Sequence, residues 1–103
     1  MNIYYDPEAF GLSVVGSIDF GYDYEFDKIV VWRDVETGDF CYAEDSGCSC
    51  PTPFESFGRY DLDPIHRPQD LIDVFDSVYR KGAFEAEIGE LIMDFGEEWK
   101  RYH

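Results

Sequence analysis

Positive charge is scarce in this chain. It has 8 Lys and Arg against 23 Asp and Glu, a formal charge of −15, and no basic side chain precedes Lys28. Such a surface repels nucleic-acid phosphates and anionic lipid at long range, which argues against direct nucleic-acid binding and favours basic partners or cations. Long apolar runs are missing as well, and no basic segment leads into an apolar one near Met1, so neither a membrane span nor a signal peptide is expected. Cysteines are few and odd in number, Cys41, Cys48 and Cys50, which argues against a secreted disulfide framework. No Cys-x-x-Cys pair, phosphate-binding Gly-Lys-Ser/Thr loop or dinucleotide motif occurs. The expected compartment is the cytoplasm.

Apolar material is nevertheless plentiful. Hydrophobic residues make up 45% of the 103 positions, with nine Phe, eight Tyr and two Trp, so the chain can bury a core and is not a disordered acidic tail. Residues 1–103 read as one acidic α+β domain: three antiparallel strands followed by two main C-terminal helices packed on one sheet face.

The strands are read from side-chain alternation. Leu12, Val14, Gly16, Ile18 and Phe20 share one face of a first strand, with Ser13, Val15, Ser17 and Asp19 on the other. Tyr22 and Tyr24 lie in the connection that follows, where a plain solvent loop has no need of aromatics. From Phe26 to Asp34 both faces are apolar, which places that strand in the middle of the sheet. Thr37-Gly38 marks a hairpin; closing it at Val35 and Asp39 sets Trp32 opposite Tyr42 and Arg33 opposite Cys41.

Beyond Asp45 the pattern changes. Gly47 is suited to a sharp turn, Pro51 ends any strand, and Thr52-Pro53-Phe54-Glu55 has the spacing of a capping box opening a helical turn. In this reading Asp45, Gly47, Cys48, Cys50 and Thr52 form a structural loop, with a cysteine filling a small apolar site and Thr52 capping the helical turn. A helix from Pro68 to before Gly82 buries Leu71, Ile72, Val74, Phe75, Val78 and Tyr79, with Asp70 at its positive end and Arg80 and Lys81 at its negative end. A last helix over about Ala83–Arg101 buries Phe84, Ile88, Leu91, Ile92, Phe95 and Trp99 and exposes Glu87, Glu90, Asp94, Glu97 and Glu98. Ala86, Gly89, Met93 and Gly96 form a second stripe that allows close backbone approach, either within the chain or in a homodimer or partner contact.

Trp32-Arg33-Asp34, Thr37-Gly38, Tyr42, the run Asp45-Ser46-Gly47-Cys48-Ser49-Cys50-Pro51 and Pro53-Phe54-Glu55 together resemble a family of small acidic proteins encoded by phages of actinobacteria. The resemblance implies expression in the cytoplasm of a bacterial host during infection and transfers no catalytic residue.

Two chemistries are weighed against a binding role. Cys48 and Cys50, with Cys41 or His66, are suitable zinc ligands, but Cys-x-Cys is shorter than a zinc-hairpin spacing. Asp45, Ser46 and His66 are the types of a hydrolytic triad, without a nucleophile-elbow pattern around Ser46. The expected function is therefore non-enzymatic, with no cofactor: an adaptor or inhibitor that engages a basic host protein through Tyr22, Tyr24, Glu90, Asp94 and Glu97. The alternatives are a nucleic-acid mimic that fills a host protein's basic groove, or a small zinc-binding accessory protein.

Overall fold

The computed structural model describes residues 1–22, 24–48, 52–78 and 81–103. Its centre is an antiparallel sheet of four strands in the order β1 (Leu12–Asp19), β2 (Glu25–Asp34), β3 (Phe40–Cys48) and β4 (Asp63–Ile65). Two α-helices follow, α1 (Pro68–Asp76) and α2 (Glu85–Tyr102). The three-stranded sheet expected from alternation is thus corrected to four. The fourth strand escapes pattern reading because it is a three-residue Asp-Pro-Ile segment, and proline normally argues against a strand except at an edge, where β4 lies.

Both faces of the sheet are covered. On one, Leu71 and Phe75 of α1 and Leu91 and Phe95 of α2 pack on Ile18, Phe20, Ile29, Val31 and Phe40. On the other, Ile3 and Phe54 close over Leu12, Val30, Trp32 and Ala43. The double covering explains why Ile29 to Trp32 of β2 are all buried. Trp32 is the pivot of the second layer: its indole N–H donates to the Ile3 carbonyl at 3.1 Å and its ring meets Phe54 edge-on at 5.5 Å.

Three local expectations are overturned. The β1 alternation breaks where the register shifts between Val14 and Gly16, so Leu12 and Val14 pack in one layer while Val15 and Ile18 pack in the other. The β2–β3 hairpin closes at Asp34 and Asp39, with the Asp34 N–H donating to the Asp39 carbonyl at 2.7 Å, so Trp32 faces Cys41 and Arg33 faces Phe40. Asp34 sets this register. Its Oδ1 accepts the N–H groups of Glu36 (2.9 Å) and Thr37 (3.1 Å), and Gly38 takes the left-handed conformation with φ +80. Third, Gly47 makes no turn; it pairs with Phe26 inside β3. The segment after Thr52 is a turn rather than a helix, Phe54 has φ +63, and its N–H is taken at 2.7 Å by Asp45 Oδ2 instead of a Thr52 cap. Cys50, Pro51, Tyr79 and Arg80 lie outside the described residues.

The helices differ from expectation mainly at their ends. Asp70 Oδ2 accepts the N–H groups of His66 (2.9 Å) and Arg67 (3.2 Å), which starts α1. That helix ends at Asp76, well short of Gly82, where the Ser77 hydroxyl donates to the Val74 carbonyl at 2.8 Å. On α2 the Gly89 and Gly96 side faces open space: a Cβ at either position meets nothing within 4 Å. The stripe is therefore not used for packing among the described residues. Replacing Gly89 and Gly96 by Ala is expected to stabilise the fold by up to about 1 kcal/mol each, the helix-propensity difference. A urea titration that shows destabilisation instead would contradict the open placement of this face.

Candidate functional site

The residues singled out by sequence lie along one side of the molecule. Helix α2 runs antiparallel to β1: Phe84 meets Phe20 at 4.9 Å between ring centroids, and Leu91 lies so close to Gly16 that a Cβ there would stand 2.3 Å from Leu91 Cδ1. Alongside this contact is an open groove of about 310 Å³. Its apolar floor is Ile18, Phe84 and Leu91, and its acidic wall is Glu87, Glu90 and Asp94, with Asp19 at one end. Asp94 and Glu97 continue the wall into a neighbouring depression bounded by Val15 and Arg101.

Among the described residues Glu90, Asp94 and Glu97 have no evident structural duty. The ion pairs of the described residues are Arg33–Glu98, Arg59–Asp34, Arg67–Asp70 and Lys81–Asp76, none of which uses Glu87, Glu90, Asp94 or Glu97. Glu85 and Glu87 suit the positive N-terminal turn of α2, as Lys100 and Arg101 suit its last turn. Glu90 and Asp94 sit mid-helix, where the dipole gives neither any benefit. All four wall residues of α2 are exposed.

Tyr22 and Tyr24 follow β1 at the Phe84 end of the groove and are 67% and 83% exposed. Tyr22 lines a second open groove with Phe20, Asp27, Ser46 and Cys48. Asp19, Glu87 and the strand beside them are not recognisable from sequence as one feature. The i, i+3, i+7, i+10 spacing of Glu87, Glu90, Asp94 and Glu97 was the available signal.

Of the zinc alternative's candidate ligands, Cys50 lies outside the described residues, and Cys48 is not brought together with Cys41 or His66. Cys41 and Cys48 are seven residues apart on β3, about 23 Å at the ordinary strand rise, so they cannot share one ion. Burial also pushes the Cys41 thiol up to about 11, and its Sγ sits 3.9 Å from the Trp32 carbonyl. His66 is exposed beside β4, where Pro64 pairs with Cys41, at the end of β3 away from Cys48. Among the described residues no three His, Cys, Asp or Glu side chains are grouped to hold a metal. The triad types fare no better: Asp45 and Ser46 are successive strand residues with side chains on opposite faces, and Asp45 is held by Phe54.

One acidic contact is expected to make stability depend on pH. Asp27 and Glu44 lie on the helix-bearing face, and a hydrogen bond to Asp27, then burial, then the like charge of Asp27 raise the Glu44 carboxyl above its ordinary value. Asp27 Oδ1 is buried without a donor, which a proton on Glu44 supplies. Because the folded state holds that proton more tightly than the unfolded chain, this contact costs stability as pH rises through the Glu44 titration. Glu44→Gln is expected to raise the thermal midpoint at pH 7 and to lose most of that gain at pH 4, by paired calorimetric scans. An equal gain at both pH values would contradict the shared contact.

No helix of the described residues is long and apolar enough to cross a membrane. No curated protein and no solved structure shows significant similarity to the chain. A family model described as a domain of unknown function, DUF7574, matches residues 1–97, and the chain therefore belongs to the DUF7574 family.

Proposed function

We propose that this is a non-enzymatic interaction protein that engages a basic surface of another protein. The observation that carries the reading is the row of carboxylates Glu87, Glu90 and Asp94, unpaired among the described residues, along an apolar-floored groove in a chain of charge −15. Long-range attraction speeds encounter, while the groove floor and the exposed Tyr22 and Tyr24 give local contact. The resemblance of the Trp32–Glu55 segment to small phage proteins supports a bacterial host protein as the partner and the host cytoplasm as the compartment, with an adaptor or inhibitor as the role.

Affinity capture from a bacterial lysate, followed by mass spectrometry, tests this. A basic protein should be retained at low ionic strength and released as salt shortens the Debye length from about 10 Å at 0.1 M towards about 3 Å at 1 M. Retention that ignores salt, or capture no different from that by an acidic control protein of similar charge, would overturn the reading. Displacement of the captured protein by duplex DNA would favour nucleic-acid mimicry instead.

A further inference from the structure

The two edges of the sheet are unequal. The β4 edge is three residues long and carries Pro64, which blunts it against further pairing. The β1 edge is eight residues long, has no proline, and pairs only with β2 among the described residues. The Phe20 N–H donates to the Asp27 carbonyl at 2.7 Å, so the antiparallel alternation turns the backbone groups of Ser17 and Asp19 outward. The irregularity between Val14 and Gly16 interrupts the edge, leaving Gly16–Asp19 as the regular part, and this is the segment that lines the acidic groove.

Resting on the binding reading above, we propose that a basic segment of the partner adds to β1 in extended form, as a fifth strand beside Gly16–Asp19. Its backbone pairs with Ser17 and Asp19, and its alternate side chains, Lys or Arg, reach Glu87, Glu90 and Asp94. The spacing suits this. Seven helix residues from Glu87 to Asp94 rise about 10.5 Å at 1.5 Å each, and three alternate strand positions span about 13 to 14 Å, a difference that long Lys or Arg side chains bridge. Charge selects the occupant: a second copy of this chain carries the same −15 and is repelled from the edge, whereas a basic strand is attracted. Backbone pairing supplies contact at every second residue, and the acidic wall selects the side chains between.

Synthetic peptides separate this mode from charge attraction alone. One alternates Lys with Val or Thr; a second has the same charge in a helix-forming Lys/Ala sequence; a third is the first peptide N-methylated at alternate residues along one edge. Binding to the whole protein is followed by fluorescence anisotropy and by amide hydrogen exchange. The strand-forming peptide should bind at least about tenfold more tightly than the other two and should slow exchange at Ser17 and Asp19. Ser17→Pro, which removes an outward N–H at an edge position, should abolish the preference without unfolding the sheet. Equal binding of all three peptides overturns strand addition while leaving the basic-partner reading intact. Failure of all three to bind overturns strand addition too, and lysate capture then decides the broader reading independently.

Discussion

Trp32→Ala is expected to cost about 3 to 5 kcal/mol, the range for removing a large aromatic from a packed core. Trp32 is wholly buried, its indole satisfies the Ile3 carbonyl, and its ring supports Phe54, so one substitution undermines the whole layer opposite the helices. That loss is a large fraction of the roughly 5 to 15 kcal/mol by which small domains are stable. Trp32→Phe keeps the contact with Phe54 and should cost less, leaving mainly the orphaned carbonyl and a smaller void. Urea unfolding followed by the fluorescence of Trp99 measures both. A cost below about 1 kcal/mol for the Ala variant would contradict a central role for this side chain.

Gly21→Ala is expected to destabilise by about 3 kcal/mol, at the upper end of overpacking costs, because the crowding is against backbone. A Cβ at Gly21 would stand 2.3 Å from the Glu25 carbonyl oxygen and 2.7 Å from Phe26 Cα. Neither atom can withdraw without opening the β1–β2 connection, where Asp19 Oδ1 already holds the N–H groups of Gly21 (2.8 Å) and Asp27 (3.0 Å). Gly16→Ala makes an instructive comparison. Its Cβ also falls at 2.3 Å, but from the end of the Leu91 side chain, which can change rotamer. The expected order of urea midpoints is wild type, then Gly16→Ala, then Gly21→Ala. A Gly21→Ala variant as stable as wild type would mean that the β1–β2 connection is not packed as described.

The parts of this fold legible in sequence are those where one residue's fate depends on its near neighbours. Helical spacing marks Leu71 and Phe75, and Leu91 and Phe95, as buried, and the two apolar faces of β2 mark it as interior. What escapes notice depends on contacts between distant segments. The hairpin register rests on the Asp34 carboxylate, and one residue of misplacement exchanges every cross-strand neighbour. The Thr52-Pro53-Phe54-Glu55 spacing imitates a helix start, but Phe54 is drawn into the core over Trp32 and its N–H goes to Asp45, nine residues earlier. At the candidate site the acidic stripe of α2 is readable on a helical wheel. The strand edge beside it is not, because strand order and the side of the sheet taken by α2 are tertiary facts.

On the proposed reading, the mid-helix carboxylates of α2 serve binding rather than folding. The most direct test replaces Glu90 by Gln, Asp94 by Asn and Glu97 by Gln together, and measures unfolding and affinity for the captured basic protein on the same preparations. The expected unfolding free energy lies within about 0.5 kcal/mol of wild type, since these exposed side chains hold no ion pair among the described residues. Affinity is expected to fall by about tenfold or more, with a shallower dependence on salt. A folded triple variant with unchanged affinity and unchanged salt dependence would contradict that reading.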